Sequence, residues 1–282
     1  SEVDQKLTGT GIWEHKGGII AVVAALRALR YLRILRKMKI GILFTSDDSL
    51  QGKFSRDHVR QKAANAKYIL GLHGGDLSGS LITSRSGSAF YRLNMHLKKT
   101  EDSNMVSLAA SIFSRLINNW CELSLDDESL VIAPYKSTLN TNIMQPYAHG
   151  EVLLSARYSQ AIQFKEIDQR IRKTIPRRKY LNSVHFQLDG GLNRDPFEES
   201  EKVIEFWNKV KALAGNLDIR ITKEHRWSSA DICFIGGDKN LLDGFGPIGM
   251  KEQDKSEYIL RHSLLERALL MAMTLKEVTG NI

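Results

Sequence analysis

Tyr91, Leu93, Met95 and Leu97 alternate strictly with Arg92, Asn94 and His96. This period of two marks a strand with one buried and one wet face. The pattern around it reads strand, helix, strand, strand, helix, strand from Arg85 to about Asp189. After the alternating run comes an amphipathic helix, with Met105, Leu108, Ile112, Phe113, Leu116 and Trp120 on its apolar side and Asn104 as its cap. Strands are expected over 130–133 and 152–158, a helix over 161–175 and a last strand over 183–188. Such an order folds as a small antiparallel sheet covered by two helices, a ferredoxin-like α+β unit.

The flanking sequence has a different character. Gly17-Gly18 opens a helix whose apolar side is Ile19, Val22, Val23, Leu26 and Leu29, with Arg27, Arg30, Arg33 and Arg36 forming a ridge on the other side. A buried strand is expected over 40–45, a helix over 55–66 and a second strand over 67–72. After the α+β unit come a helix over 199–213 with Val203, Phe206, Trp207 and Val210 inward, short strands over 219–222 and 231–235, and a closing helix over 263–278. Alternating strands and helices predict an α/β domain with a parallel component. The expected organisation is therefore a main domain over 1–84 and 191–282, a mixed sheet flanked by helices, with a lid-like unit inserted over 85–190.

Composition limits the function classes. A chain of 282 residues with 42% hydrophobic and 26% charged residues can bury a sizeable core. Cys121 and Cys233 both lie in apolar contexts, which argues against a disulfide scaffold or a Cys-based zinc site and agrees with a cytoplasmic setting. The longest apolar stretches carry Arg27, Arg30 and Arg33, or Glu266 and Arg267, so no bilayer span is expected. Residues 1–7 are polar and carry Glu2 and Asp4, unlike a signal peptide, and a first residue other than Met reads as a processed or partial chain. The net charge of +8 leaves a basic nucleic-acid-binding module as one alternative. It would need Arg170, Arg172, Lys173, Arg177, Arg178 and Lys179 to share a face with the Arg27 ridge. The simpler reading is a solvated helix face and a cationic helix end favoured by its dipole, so nucleic acid is not the expected partner.

Five segments, in this order, resemble the zinc-dependent exopeptidase and deacylase family of glutamate carboxypeptidases, acetylornithine deacetylase and succinyl-diaminopimelate desuccinylase. Gly11-Ile12-Trp13-Glu14-His15-Lys16-Gly17-Gly18 is similar to the family's Asp-x-Lys-Gly-Gly helix start, and Phe44-Thr45-Ser46-Asp47-Asp48-Ser49 to its strand end carrying Asp-Glu-Glu. Residues 68–73 match the strand that ends in a metal-binding carboxylate. Asn142-Ile143 with 151–157 match the lid's Asn and Arg, and Gly246-Pro247-Ile248-Gly249 with Ser256-Glu257-Tyr258-Ile259 match the C-terminal Gly-rich loop and Glu-Tyr segment. A weaker likeness joins Ser228-Ser229-Ala230-Asp231 to the family's Gly-Gly-Ser/Thr-Asp loop.

The resemblance implies two zinc ions, a metal-bound water as nucleophile and a glutamate that takes its proton. By position, Glu14 replaces the bridging Asp, Asp48 the general-base Glu, Ser49 a ligand Glu and His73 a ligand carboxylate. No His stands at 250–254 or before Glu14. Glu14 and His73 are thus the remaining candidate metal ligands and Asp48 the candidate catalytic base, with no zinc or one weakly held zinc expected. The competing reading makes Glu14, Asp47 and Asp48 solvated loop carboxylates and His73 a polar strand end.

Asn142, Arg157 and Gly249 match positions that contact substrate, so the resemblance implies a receptor for a carboxylated small molecule or peptide. Equally, Arg157 fits a surface strand and Asn142 a turn. The expected function is a divergent metallopeptidase- or amidohydrolase-like protein, impaired in hydrolysis, that binds a carboxylated peptide, an acyl-amino acid or a protein partner. The alternative is an active zinc-dependent peptidase or deacylase whose ligands are completed from outside this chain. The family's upstream strands have no counterpart before Glu14, so an exposed sheet edge is expected, covered by an upstream domain, another fragment or an identical subunit.

Overall fold

The computed structural model describes residues 5–98, 100–125, 128–176, 183–236, 238–254 and 256–280. The chain begins with β1 (Lys6–Thr8), a π-helical turn (Ile12–Lys16), α1 (Gly17–Tyr31), α2 (Arg56–Ala64), β2 (Tyr68–Leu70), β3 (Gly74–Gly75) and β4 (Ser80–Arg85). It continues with β5 (Gly87–Leu97), α3 (Asn104–Glu122), β6 (Leu130–Asn142), β7 (Tyr147–Tyr158), α4 (Ala161–Thr174) and β8 (Val184–Arg194). It closes with α5 (Glu201–Asn216), β9 (Thr222–Arg226), β10 (Asn240–Leu242), β11 (Gly246–Lys251), β12 (Glu257–Leu260) and α6 (Arg261–Val278). Two compact units result: Ser1–Ser84 with Phe197–Arg226 and Phe234–Ile282, and Arg85–Pro196 with Trp227–Cys233. The second unit therefore runs past Asp189 and takes back a short segment from beyond α5.

In the second unit β6, β7, β5 and β8 form one sheet in that order, antiparallel throughout. The alternation of β5 places Tyr91, Leu93, Met95 and Leu97 in the core, and β7 supplies Val152, Leu154, Ala156 and Tyr158 from the next strand. Across from them lie Phe113, Leu116 and Trp120 of α3, and Ile167 and Ile171 of α4. Trp120 is fully buried, and its indole N–H donates to Thr174 Oγ1 at 2.6 Å. A buried indole needs such an acceptor, since a lone buried donor is costly. Asn104 is the first residue of α3 rather than its cap. Ser103 holds the cap position, and the Asn104 amide donates to Asp102 Oδ1 at 2.9 Å. Leu108 lies exposed, because the buried stripe of α3 runs through Val106, Ala109, Phe113, Leu116 and Trp120. Arg177, Arg178 and Lys179 lie outside the described residues.

In the first unit β1, β12, β11 and β3 form one sheet, and β2 pairs in parallel with β10. The buried side of α1 is Gly18, Ala21, Val22, Ala25 and Leu29, narrower in volume than the stripe its larger residues suggest. Ile19 and Val23 point outward. Small residues there let the helix backbone come close: a Cβ on Gly18 would run into the carbonyl of Leu72, just after β2. Arg27 and Arg30 lie exposed on α1, but Arg33 follows the helix at φ 62°, so the ridge does not continue as one helix face.

Two expected strands are absent among the described residues, and the one expected over 219–222 begins only at its last residue, as β9. Residues 231–235 instead carry a short 3-10 turn, Asp231–Phe234. Residues 40–45 form no strand among the described residues, and Ile42, Leu43 and Phe44 are exposed, as are Leu50 and Phe54 nearby. An apolar run becomes a strand only when a neighbour satisfies its backbone groups.

Deleting the Trp120 side chain should reveal what its core contact contributes. Trp120→Ala is expected to cost about 3–5 kcal/mol in denaturant unfolding. Phe54→Ser, at a position 72% exposed, should stay within about 0.5 kcal/mol of the parent.

Candidate functional site

In the first unit the π-helical turn carries Glu14 at the entrance to α1. The Trp13 and Glu14 amides donate to Glu257 Oε2 at 3.1 and 3.2 Å. A carboxylate suits this place, because the first N–H groups of a helix lack partners within it. Lys251 Nζ lies 3.1 Å from Glu14 Oε2 and 3.9 Å from Glu257 Oε1. One ammonium thus stands between the two carboxylates and offsets their repulsion.

His73 follows β2 and faces Asp243, just beyond β10. Its Nδ1 lies 3.0 Å from Asp243 Oδ2, and its amide donates to Oδ1 at 3.3 Å. Asp243 is fully buried and also accepts from the Gly244 amide at 2.7 Å. An ionised carboxylate can only accept, so the imidazole proton belongs on Nδ1 and the lone pair on Nε2. His73 could offer Nε2 as one ligand to a metal, oriented from behind by Asp243.

The strand end beside His73 is braced on both sides. Trp13 Nε1 donates to Gly75 O at 2.8 Å, and Arg226 Nη1 donates to Gly74 O at 2.8 Å while its guanidinium lies 5.6 Å from the Trp13 ring. Asp76 accepts from the amide and hydroxyl of Ser78, at 3.0 and 2.6 Å, and from the hydroxyl of Ser80 at 2.8 Å. Burial pushes its carboxyl up, but the hydrogen bonds from Ser78 and Ser80 outweigh this and hold it below the usual range. Arg267 lies beneath, donating to Gly79 O at 2.8 Å, and burial draws its guanidinium down to about 10.

Asp48 sits in a single 3-10 turn, Asp48–Leu50. Its neighbour Asp47 is the more buried and accepts from the Phe54 and Ser55 amides at 2.8 and 2.9 Å, a bracing role for the entry to α2. Gly249 lies within β11 opposite Ile259, so the Gly246-Pro247-Ile248-Gly249 segment is strand rather than loop. A Cβ there would meet the Tyr258 carbonyl, so Gly249 serves close strand packing.

Among the described residues, no three His, Cys, Asp or Glu side chains come together as a metal-holding group. Glu14, Asp48 and His73 are therefore not assembled into one. A pair of closely spaced divalent ions needs several anionic ligands. Here the Glu14 oxygen is held by an ammonium and His73 offers a single nitrogen, so these residues do not fit such a pair.

In the second unit Arg157 lies on β7, half-buried. Its Nη1 donates to Ser229 Oγ at 2.6 Å, and its guanidinium lies 5.5 Å from the Phe90 ring. Ser229 Oγ donates in turn to Ser88 Oγ at 3.1 Å. Arg85 Nη1 donates to Ser228 O at 2.8 Å, and Arg194 Nη2 pairs with Asp231 at 2.6 Å. Three guanidinium groups thus gather on the segment 227–233, where Asp231 is a carboxylate partner. Exposed Tyr135 packs edge-on to Phe90 at 6.4 Å, and Trp227 is exposed in the same segment.

Asn142 is placed elsewhere. It pairs with Tyr147 at one end of the β6–β7 hairpin, while Arg157 pairs with Val131 at the other. Ten strand residues separate Tyr147 from Arg157, about 33 Å at about 3.3 Å per residue. Asn142 Oδ1 accepts from the Met144 and Gln145 amides at 3.0 and 3.1 Å, closing its own turn. Within one chain it does not share a site with Arg157.

Sequence reasoning named the segment of Glu257 without giving that residue a role, and missed Asp243, Lys251, Arg226, Arg85 and Arg194. Asp243 had a signal, a carboxylate closing the apolar run Leu241-Leu242 before a Gly. For the arginines there was none, since their partners lie far away in the chain.

The model of peptidase family M20/M25/M40 matches residues 1–277. No curated protein sequence matches the chain. Among solved structures, the aminopeptidase PepT of Bacillus cereus superposes with a TM-score of 0.72 at 15% identity, covering 94% of this chain and 70% of that one. A tripeptidase of Staphylococcus aureus gives 0.73 at 14%, covering 93% and 70%. The YXEP protein of Bacillus subtilis, a dinuclear metal-binding peptidase of the M20 family, gives 0.67 at 10%, covering 93% and 71%. At such identities the likeness is one of fold.

Two substitutions probe the first unit. Asp243→Ala strips a half-buried imidazole and two amides of their acceptor and should cost about 3–5 kcal/mol in thermal or denaturant unfolding. For Asp76 the folded carboxyl titrates below its unfolded value, so its stabilisation is present above the unfolded pKa and is lost as pH falls through the folded one. Asp76→Asn should lower the melting temperature at pH 7 and flatten the loss of stability below about pH 4.

Proposed function

Because the chain belongs to peptidase family M20/M25/M40, we propose that it is a divergent member that recognises a carboxylated peptide or acyl-amino acid and is impaired in hydrolysis. The observation that carries this reading is the mounting of Arg157. A guanidinium offers paired donors matched to a carboxylate. Here Ser229 fixes one of its nitrogens and the Phe90 ring lies beneath it. Fixing the side chain in advance removes part of the entropy cost of binding. Arg85 adds positive potential, whereas Arg194 is paired with Asp231, and exposed Tyr135 and Trp227 offer apolar area for an acyl or side-chain group.

Impaired hydrolysis is supported by the first unit. Water attack on an amide needs a nucleophile activated by metal or by a well-placed base. Glu14 is committed to Lys251 and His73 Nδ1 to Asp243, while Asp48 stands on a separate turn.

Calorimetric titration of the full chain with an N-acetyl dipeptide, as the free acid and as the C-terminal amide, tests the proposal. The acid should bind at least ten-fold more tightly than the amide, and Arg157→Ala should remove that difference, in keeping with the about 1.5–3 kcal/mol of a charge-assisted hydrogen bond. Equal binding of acid and amide would overturn the recognition. Turnover of the dipeptide that a chelator abolishes would replace impaired hydrolysis with an active metallopeptidase.

A further inference from the structure

The sheet of the second unit has one face in the core and one face open, and the open face carries a row of histidines. On β5 the residues alternating with the core set are Arg92, Asn94 and His96, and His96 is exposed. The register sets His96 opposite His149 on β7 and, on its other side, opposite His185 on β8. Their strand neighbours Ala148, Gly150 and Val184 are buried, so His149 and His185 fall on the same open face, each half-buried. Three imidazoles therefore stand side by side across three adjacent strands.

We propose that His96 and His149 form a clamp for a single borderline transition-metal ion, such as zinc or nickel, with His185 as a flanking imidazole. Directly opposed residues on one face of an antiparallel pair have Cβ atoms about 4.5–5.5 Å apart. The His96 and His149 rings lie 6.3 Å apart between centroids, with their planes at 64°. A zinc ion bound to two imidazole nitrogens at about 2.1 Å in tetrahedral geometry leaves the centroids about 5 Å apart. An inward turn of the two rings of about 1 Å closes that difference, and the more exposed ring, His96, has room to make it. The three rings as they stand do not form a three-ligand group, so the two imidazoles of His96 and His149 and water are the ligands.

The donor chemistry selects the ion. Imidazole nitrogen favours zinc, copper and nickel, whereas calcium and magnesium require oxygen ligands. The carboxylate on the neighbouring rung, Glu151, is engaged by Lys136 at 3.1 Å and Arg92 at 3.8 Å. Asn140 stands opposite His149 on β6, and Asn94 and Gln187 occupy the next rung. The clamp belongs wholly to the second unit and is independent of Glu14 and His73 and of the proposed carboxylate recognition.

Titration of the full chain with zinc chloride, followed by calorimetry, tests the clamp. One ion per chain is expected, with His96→Ala and His149→Ala each weakening it at least ten-fold, while His58→Ala, a loss of an exposed imidazole on α2, leaves it unchanged. Circular dichroism melts verify the fold of each variant, and His149→Asn replaces His149→Ala if the latter fails to fold. Nickel chloride in place of zinc should broaden the imidazole proton resonances of His96 and His149 before those of the other histidines. No zinc heat with the parent chain, an affinity unchanged in both clamp variants, or broadening that begins at histidines of the first unit would each overturn the proposal.

Discussion

The first unit depends on how closely a helix can approach the strand ends. Gly17 and Gly18 have no side chains, so α1 starts in contact with the carbonyl of Leu72 and the ring of Pro247. That contact fixes the π-helical turn before α1 and, with it, Trp13 and Glu14. The Glu257 carboxylate then takes the two amides the turn exposes, and the Trp13 indole holds the carbonyl of Gly75. Any larger side chain at Gly18 would push the helix outward and separate Trp13 from Gly74 and Gly75.

Charge decides what these strand ends can hold. Carboxylates crowded at strand ends need a cation or hydrogen-bond donors to offset their repulsion. In this chain that cation is the ammonium of Lys251, covalently part of the fold and seated against Glu14 and Glu257. His73 is likewise held by a buried partner, Asp243, that orients its ring. Glu14, Glu257 and His73 are thus each engaged by a partner within the fold. In the second unit the balance is opposite, since Arg85, Arg157 and Arg194 gather on a segment whose serines accept hydrogen bonds without supplying charge. Anion recognition is thus better served there than two-cation chemistry is in the first unit.

Much of the architecture was legible because its signals are local. The alternation through Tyr91, Leu93, Met95 and Leu97 foretold β5, and Val203, Phe206, Trp207 and Val210 foretold the buried face of α5. Where the reading failed, a distant residue decided. The run at 40–45 has the composition of a strand but forms none among the described residues, and Ile42, Leu43 and Phe44 lie exposed. The 231–235 segment turns as a 3-10 helix where Arg194 grips Asp231. Gly249, read as a loop, became strand because β12 lies against it. The candidate site was legible as residue types: Glu14, His73 and Arg157 are each at a strand end, helix start or strand face that the sequence pattern marks. Their partners were not, and Asn142 stands about ten residues of strand away from Arg157.

By itself the sequence determined the periodicities, and through them the order of elements and the inserted antiparallel sheet, since side-chain polarity along a strand or helix is set by neighbours two to four residues away. Only the tertiary structure decided which charges meet. Lys251 against Glu14, Asp243 against His73, Ser229 against Arg157 and His149 against His96 join residues 53 to 237 positions apart. Such pairings follow from strand register and helix packing, which the chain fixes only when it buries its core.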